Sequence, residues 1–310
     1  MSTIIVEALE SVRFSAPDLA QMRSFLLDFG LVDAAASDDG VLRMRGTGDA
    51  QFIHETEKGE PGLVAVALRA ASVADLEKLA AAEGAAVEPA RGPGGGSMVV
   101  LHDPDGYRIE VIAGRAKAAP LPEAPGERWN TMGGRTRPEP KRLEARPARI
   151  ARLGHVVLGM SNTAAAWEWW RDRFGLIMSD EVQTPDGIMA AAFIRLDLGD
   201  QPTDHHSLNF ASIPGRAPKF HHVAFEVTDM DDLMVGHEYL KAAERHHDWG
   251  VGRHILGSQV FDYWKDPWGH RVEHWTDGDV FTSDRPPGIN DIPTMLGHQW
   301  GPPSPADFVS

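Results

Sequence analysis

A duplication constrains this chain more than any other feature, because three segments recur in the same order on either side of its middle. LESVRFSAPDLAQMRSFLLDFGL (residues 9–31) matches LGHVVLGMSNTAAAWEWWRDRFGL (153–176). Each reads as an alternating strand, a turn carrying Asp18 or Asn162, and an amphipathic helix that ends in Phe-Gly-Leu. GLVAVALRAASVADLEKL (62–79) matches FHHVAFEVTDMDDLMVG (220–236), again strand then helix. HDPDGYRIEVI (102–112) matches KDPWGHRVEHW (265–275), an Asp-Pro-x-Gly turn that feeds a strand. Three matches in one order mean a repeated structural unit.

Each half holds two strand–helix–strands units, beginning near Leu9, Gly62, Leu153 and Phe220. The expected fold class is α+β: four βαβββ modules paired into two tandem domains, each with its own core and its sheet curled around a cavity. The boundaries expected are an N-terminal domain at 1–115, a Pro/Gly/Arg-rich linker at 116–150, a C-terminal domain at 151–278 and an extension at 279–310. The extension lacks periodicity and is expected to pack over the surface or close part of a site. In the helix WEWWRDRF, the spacing of Trp167, Trp169 and Trp170 predicts core packing for at least two of them.

Composition narrows the chemistry. A formal charge of −15 leaves no basic surface for nucleic acid. The absence of a long apolar stretch or a leader-like N-terminus points to a cytoplasmic chain with no membrane partner. With no cysteine, thiolate metal sites, iron–sulfur clusters and cysteine nucleophiles are excluded, so any metal must sit on nitrogen and oxygen. Of the fourteen histidines only His54 and His102 precede residue 150, which puts imidazole chemistry in the second half.

Alternation along the strands locates that chemistry. In GHVVLGM, His155 and Val157 oppose Val156 and Leu158; in HHVAFEV, His222 and Ala224 oppose Val223 and Phe225. The bulky apolar face must lie under the helices, so His155 and His222 face the cavity, with His221 facing away. Glu273 occupies the closing strand after the DPWG turn. Its counterpart is Glu110, whereas Ser11 and Ala65 stand where the second half has His155 and His222, so the N-terminal half keeps the scaffold without the metal. Two imidazoles and a carboxylate from three strands make a facial 2-His-1-carboxylate site, with open positions suited to non-haem Fe(II). Mn(II) accepts the same donors.

At this point the chain resembles the type I extradiol ring-cleavage dioxygenases (catechol 2,3-dioxygenases and dihydroxybiphenyl dioxygenases) of the vicinal oxygen chelate superfamily. The resemblance spans residues 9–275 and is sharpest in GRHILGSQVFDYWKDPWGHRVE, residues 252–273, where His254, Tyr263, Asp266, Pro267, Gly269 and Glu273 stand at the family's spacing. Asp262 departs from it, since an apolar residue usually precedes the tyrosine. The resemblance implies the vicinal oxygen chelate fold, a catechol-type substrate cleaved with O2, and a homo-oligomer with linker and tail as contact regions. It also implies His206 as acid/base, with neighbouring His205 competing for the role, and His254 with Tyr263 as partners of the substrate oxygens. Met189, Phe193, His254 and the tail are candidates for the pocket wall.

Two other functions fit the same modules: another metalloenzyme of the superfamily, such as a glyoxalase-type isomerase, and a metal-free small-molecule-binding protein. The His206, His254 and Tyr263 group counts against the first, and the three ligands in one half count against the second. His237, His246, His247, His270, His274 and His298 read as surface or loop residues.

Overall fold

The computed structural model describes residues 2–35, 39–122, 129–213 and 215–308. Part of the expected linker, 123–128, lies outside the described residues. The first half runs β1 (Val6–Ala16), α1 (Leu19–Phe29), β2 (Val32–Asp33), β3 (Leu42–Arg45), β4 (His54–Lys58), β5 (Gly62–Ala70), α2 (Val73–Glu83), β6 (Val87–Pro89), β7 (Ser97–His102) and β8 (Arg108–Ala113). The second half runs β9 (Ile150–Gly159), α3 (Thr163–Phe174), β10 (Ile177–Gln183), β11 (Met189–Arg195), β12 (Thr203–Asp204), β13 (Leu208–Ala211), β14 (Phe220–Val227), α4 (Met230–Ala242), β15 (His246–His254), β16 (Val260–Lys265) and β17 (Arg271–Thr276). The extension adds β18 (Val280–Phe281), β19 (Gly288–Asp291), α5 (Ile292–Leu296) and β20 (His298–Trp300).

The matched segments use matched local chemistry. Asp18 accepts from the amides of Ala20 and Gln21 to start α1, and Asn162 accepts from Ala165 to start α3. Both helices end on a glycine in the left-handed region, Gly30 at φ 109° and Gly175 at φ 66°, which explains the shared Phe-Gly-Leu. Trp170 is fully buried, and Trp167 and Trp169 pack partly buried against the same core.

The two large sheets have the same strand order. The first is β2-β3-β4-β1-β5-β8-β7-β6; the second is β10-β11-β13-β9-β14-β17-β16-β15, extended by β19 at one edge and β20 at the other. Mixed α+β architecture with duplicated sheets is therefore what the chain adopts. The extension does more than cover a surface. β19 pairs with β10 and β20 with β15, so residues 288–300 run from one edge of the sheet to the other and add a strand to each.

The cores are not separate. One cluster of buried apolar side chains runs through both halves, from Phe14, Phe25 and Leu68 to Trp170, Phe210 and Phe225. Polar contacts cross the same seam: His274 Nε2 lies 2.6 Å from the Phe29 carbonyl, and the Tyr107 hydroxyl donates to the Gly159 carbonyl at 2.9 Å. Among the described residues no helix is long and apolar enough to cross a membrane.

Candidate metal centre

Strand register brings the three candidate ligands together. In antiparallel β9 and β14, His155 lies opposite Ala224 and Val157 opposite His222; in parallel β14 and β17, Ala224 lies beside Glu273. His155 Nε2 is 3.0 Å from Glu273 Oε2, His222 Nε2 is 3.2 Å from the same oxygen, and the two Nε2 atoms are 3.2 Å apart. All three residues are buried.

This triangle has a chemical consequence. Each corner atom presents either a proton or a lone pair, and round a triangle at least one edge must pair like with like. A cation at the centre removes that conflict, because all three corners then present lone pairs to it. Burial, reinforced by His221 and His155, holds the His222 pKa well below the ordinary histidine value, in the neutral form that can ligate. Burial raises the Glu273 pKa, opposed by His155 and Tyr263. The donor set fits a divalent metal on nitrogen and oxygen.

His155 and His222 line a cavity of about 450 Å³, with Glu273 against both imidazoles. His206, His254 and Tyr263 line it too. The ring of His206 is 4.3 Å from that of His155, and its Nδ1 is 3.0 Å from His205 Nδ1. His205 points elsewhere, with Nε2 2.6 Å from Asp180 Oδ2. Burial, then the neighbouring imidazoles His155, His205 and His254, lowers the His206 pKa well below its ordinary value. His254 Nε2 is 3.0 Å from the Tyr263 hydroxyl. Burial pushes His254 down to about 3 and raises Tyr263 well above the usual phenol value, the latter aided by Glu273.

Several side chains depart from strict alternation. A bulge between Phe220 and His222 turns His221 toward the site, contrary to the expectation that it faces away. Its Nδ1 is 2.6 Å from His222 Nδ1, and its Nε2 is 2.6 Å from the Phe308 carbonyl. Among the pocket-wall candidates, Phe193, His254 and the tail residues Ile292, Met295 and Phe308 line the cavity. Met189 instead packs against the core, and Ala190 takes its place in the wall. His237 and His274 are buried rather than superficial. Asp180 carried no sequence signal, lying in a strand with neither repeat nor motif.

Among its described residues the first half holds no such centre. Ser11 and Ala65 occupy the registers of His155 and His222, and Glu110 that of Glu273. Arg13 Nη2 donates to Glu110 Oε2 at 2.6 Å, with Glu55 on its other side. A guanidinium faces the carboxylate that a metal would face in the second half.

Residues 152–274 match the model of the Glyoxalase/Bleomycin resistance protein/Dioxygenase superfamily. The second half is a domain of that superfamily. The superfamily domain and the rest of the chain also have full-length relatives. Metapyrocatechase 2 of Cupriavidus necator is 29% identical over 306 residues, covering 98% of this chain and 92% of the relative. The Mn(II)-bound glyoxalase from Novosphingobium aromaticivorans matches in structure with a TM-score of 0.79 at 25% identity, covering 97% of this chain and 93% of that one. Homoprotocatechuate 2,3-dioxygenase of Brevibacterium fuscum, in complex with 3,4-dihydroxyphenylacetate, gives a TM-score of 0.79 at 20% identity, with 99% and 92% covered, a likeness of fold.

Proposed function

We propose that this chain is an extradiol dioxygenase that opens the ring of a catechol-type diol with O2 at a mononuclear Fe(II) held by His155, His222 and Glu273. One observation carries the reading: the two imidazoles of the frustrated His-His-Glu triangle line the same cavity as His206, His254 and Tyr263. The metapyrocatechase relative, similar over nearly the full length, supports it. The boundaries given above, with the ligands confined to 151–278, belong to the same reading, as does a cytoplasmic location. Assembly as a homo-oligomer belongs to it as well, with exposed apolar linker residues such as Trp129 and Met132 as contact points.

The overall step is balanced by O2 itself. Both oxygen atoms enter the product, the ring C–C bond beside the two hydroxyl-bearing carbons breaks, and a ring-opened semialdehyde acid results. Fe(II), when bound, would supply open coordination positions and one-electron chemistry. The protein's part is to position groups and move protons. His254 and Tyr263 form a hydrogen-bonded pair that can hold one substrate oxygen in place. Neutral His206 can take a proton from the second hydroxyl and return it as the ring opens. The chain His206–His205–Asp180 offers that proton a path toward solvent, because Asp180 is partly exposed. The remaining wall is largely apolar, which suits an aromatic ring and keeps water out.

A glyoxalase-type isomerase on the same donors is the second reading, favoured by the Novosphingobium structure. Isomerisation consumes no O2. Protein purified anaerobically and loaded with Fe(II) should take up O2 and form a yellow product with members of a catechol panel. His155→Ala, His222→Ala and Glu273→Ala should each lose both iron and activity. Iron bound at one per chain without O2 uptake on any diol would overturn the dioxygenase reading, and stoichiometric iron retained in all three variants would overturn the ligand assignment.

A further inference from the structure

Outside this site, among the described residues, one more cluster pairs two imidazoles with a buried carboxylate. His237 in α4, His247 in β15 and Asp262 in β16 meet on the helix-covered face of the second sheet. His237 Nδ1 is 3.1 Å from both Asp262 oxygens, and His247 Nε2 is 2.9 Å from Oδ1. The Trp264 indole donates to Oδ2 at 2.6 Å. We infer that His237, His247 and Asp262 form a second metal site, for a zinc-like divalent ion that ties α4 to β15 and β16.

Three observations carry this. Asp262 and Glu273 are the carboxylates with 0% exposure among the described residues, and neither has a lysine or arginine against it. The other deeply buried glutamates have such a cation: Glu10 has Arg115, Glu55 has Arg43, and Glu110 has Arg13. A buried carboxylate with no lysine or arginine beside it leaves a net charge in the core unless ring protons or a metal ion balance it, and that charge is costly. Second, ligand atoms on a tetrahedral ion with bonds of about 2.0–2.1 Å lie roughly 3.3 Å apart, close to the nitrogen–oxygen distances here. Third, Trp264 occupies Oδ2 and leaves Oδ1 directed at both imidazoles, the kind of outer contact that orients a ligating carboxylate. The His247 side chain is 30% exposed, which provides an entry path and room for water as a fourth ligand. Asp262 precedes Tyr263, so the ion would sit on the face of β16 opposite the cavity.

Zinc bound per chain, measured by elemental analysis after equilibration with Zn(II) and dialysis, tests the assignment. Zn(II) also suits the His155, His222 and Glu273 donors. Wild type should therefore hold about two ions, His247→Ala and His155→Ala about one each, and the double variant none. Asp262→Asn, which keeps the shape, should match His247→Ala. Co(II) should add tetrahedral d–d absorption to wild type and His155→Ala but not to His247→Ala. Fe(II)-dependent turnover of His247→Ala should persist. Equal zinc in wild type, His247→Ala and Asp262→Asn would overturn the inference and leave ring protons as the occupants of this cluster. Equal zinc in wild type and His155→Ala would instead count against the first site and leave this one standing.

Discussion

Replacing Phe308 with alanine tests whether the extension is part of the site. Its ring lies 4.6 Å from that of Trp249, 5.1 Å from Tyr263 and 5.0 Å from His221, with the Arg271 guanidinium 4.9 Å away, and only 8% of the residue is exposed. Burying a phenylalanine side chain contributes about 1.5–3 kcal/mol, and aromatic pairing about 0.5–1.5 kcal/mol more. Taking about 3 kcal/mol for the loss, the equilibrium for lifting the tail should shift by roughly 150-fold. The Phe308 carbonyl, which accepts from His221 Nε2 and Arg271 Nη1, would then spend more time undocked. Hydrogen exchange followed by mass spectrometry should show faster exchange across residues 298–308, with β9 and β14 still protected, and the KM for the diol should rise more than kcat falls. Unchanged tail exchange and unchanged KM in Phe308→Ala would refute the view that this ring latches the cavity.

His206→Phe should keep iron and lower kcat by about 10²–10⁴-fold, the usual range for a missing acid/base group, while Asp180→Asn should weaken kcat less and alter its pH profile; both are read by steady-state O2 uptake. Burial lowers the pKa of His54 to about 4, the opposing Asp266 notwithstanding, so the unfolded chain takes up this proton first as pH falls. The stability it contributes is complete above about 6.5 and is lost on acidification toward 4, amounting to about 2 kcal/mol by pH 5. Denaturant midpoints of wild type and His54→Leu between pH 7.5 and 5 should converge accordingly, and parallel curves would contradict it. Arg13→Met leaves Glu110 and Glu55 with one cation each, Arg108 and Arg43, and should destabilise the fold by about 2–4 kcal/mol without changing iron content.

The duplication made the fold legible because it repeats caps and turns, not merely hydrophobicity. Asp18 with Asn162, Gly30 with Gly175, and the two Asp-Pro-x-Gly turns each fix a chain direction, and strand register then follows from alternation. The same logic brought His155, His222 and Glu273 to one point, and it paired Ser11 and Ala65 with the correct registers. It failed where alternation itself breaks. The bulge before His222 brings His221 into contact with it, which a period of two cannot express. Met189 and Ala190 exchange faces for the same kind of reason, beside the register shift between Val182 and Gln183 in the partner strand. Asp262 read as a blemish in a motif because its partners, His237 and His247, come from a helix and a neighbouring strand. Phe308 was beyond reach, since an aperiodic tail carries no signal for where it docks.

Arg13 carries one more consequence. A guanidinium cannot be chelated, oxidised or dialysed away, so the positive charge beside Glu110 is permanent. Stripping iron from the other half with a chelator should leave a folded protein that regains activity when the ion is returned. A tethered cation in the first copy of the repeated unit would confine the chain's need for a metal ion to the second.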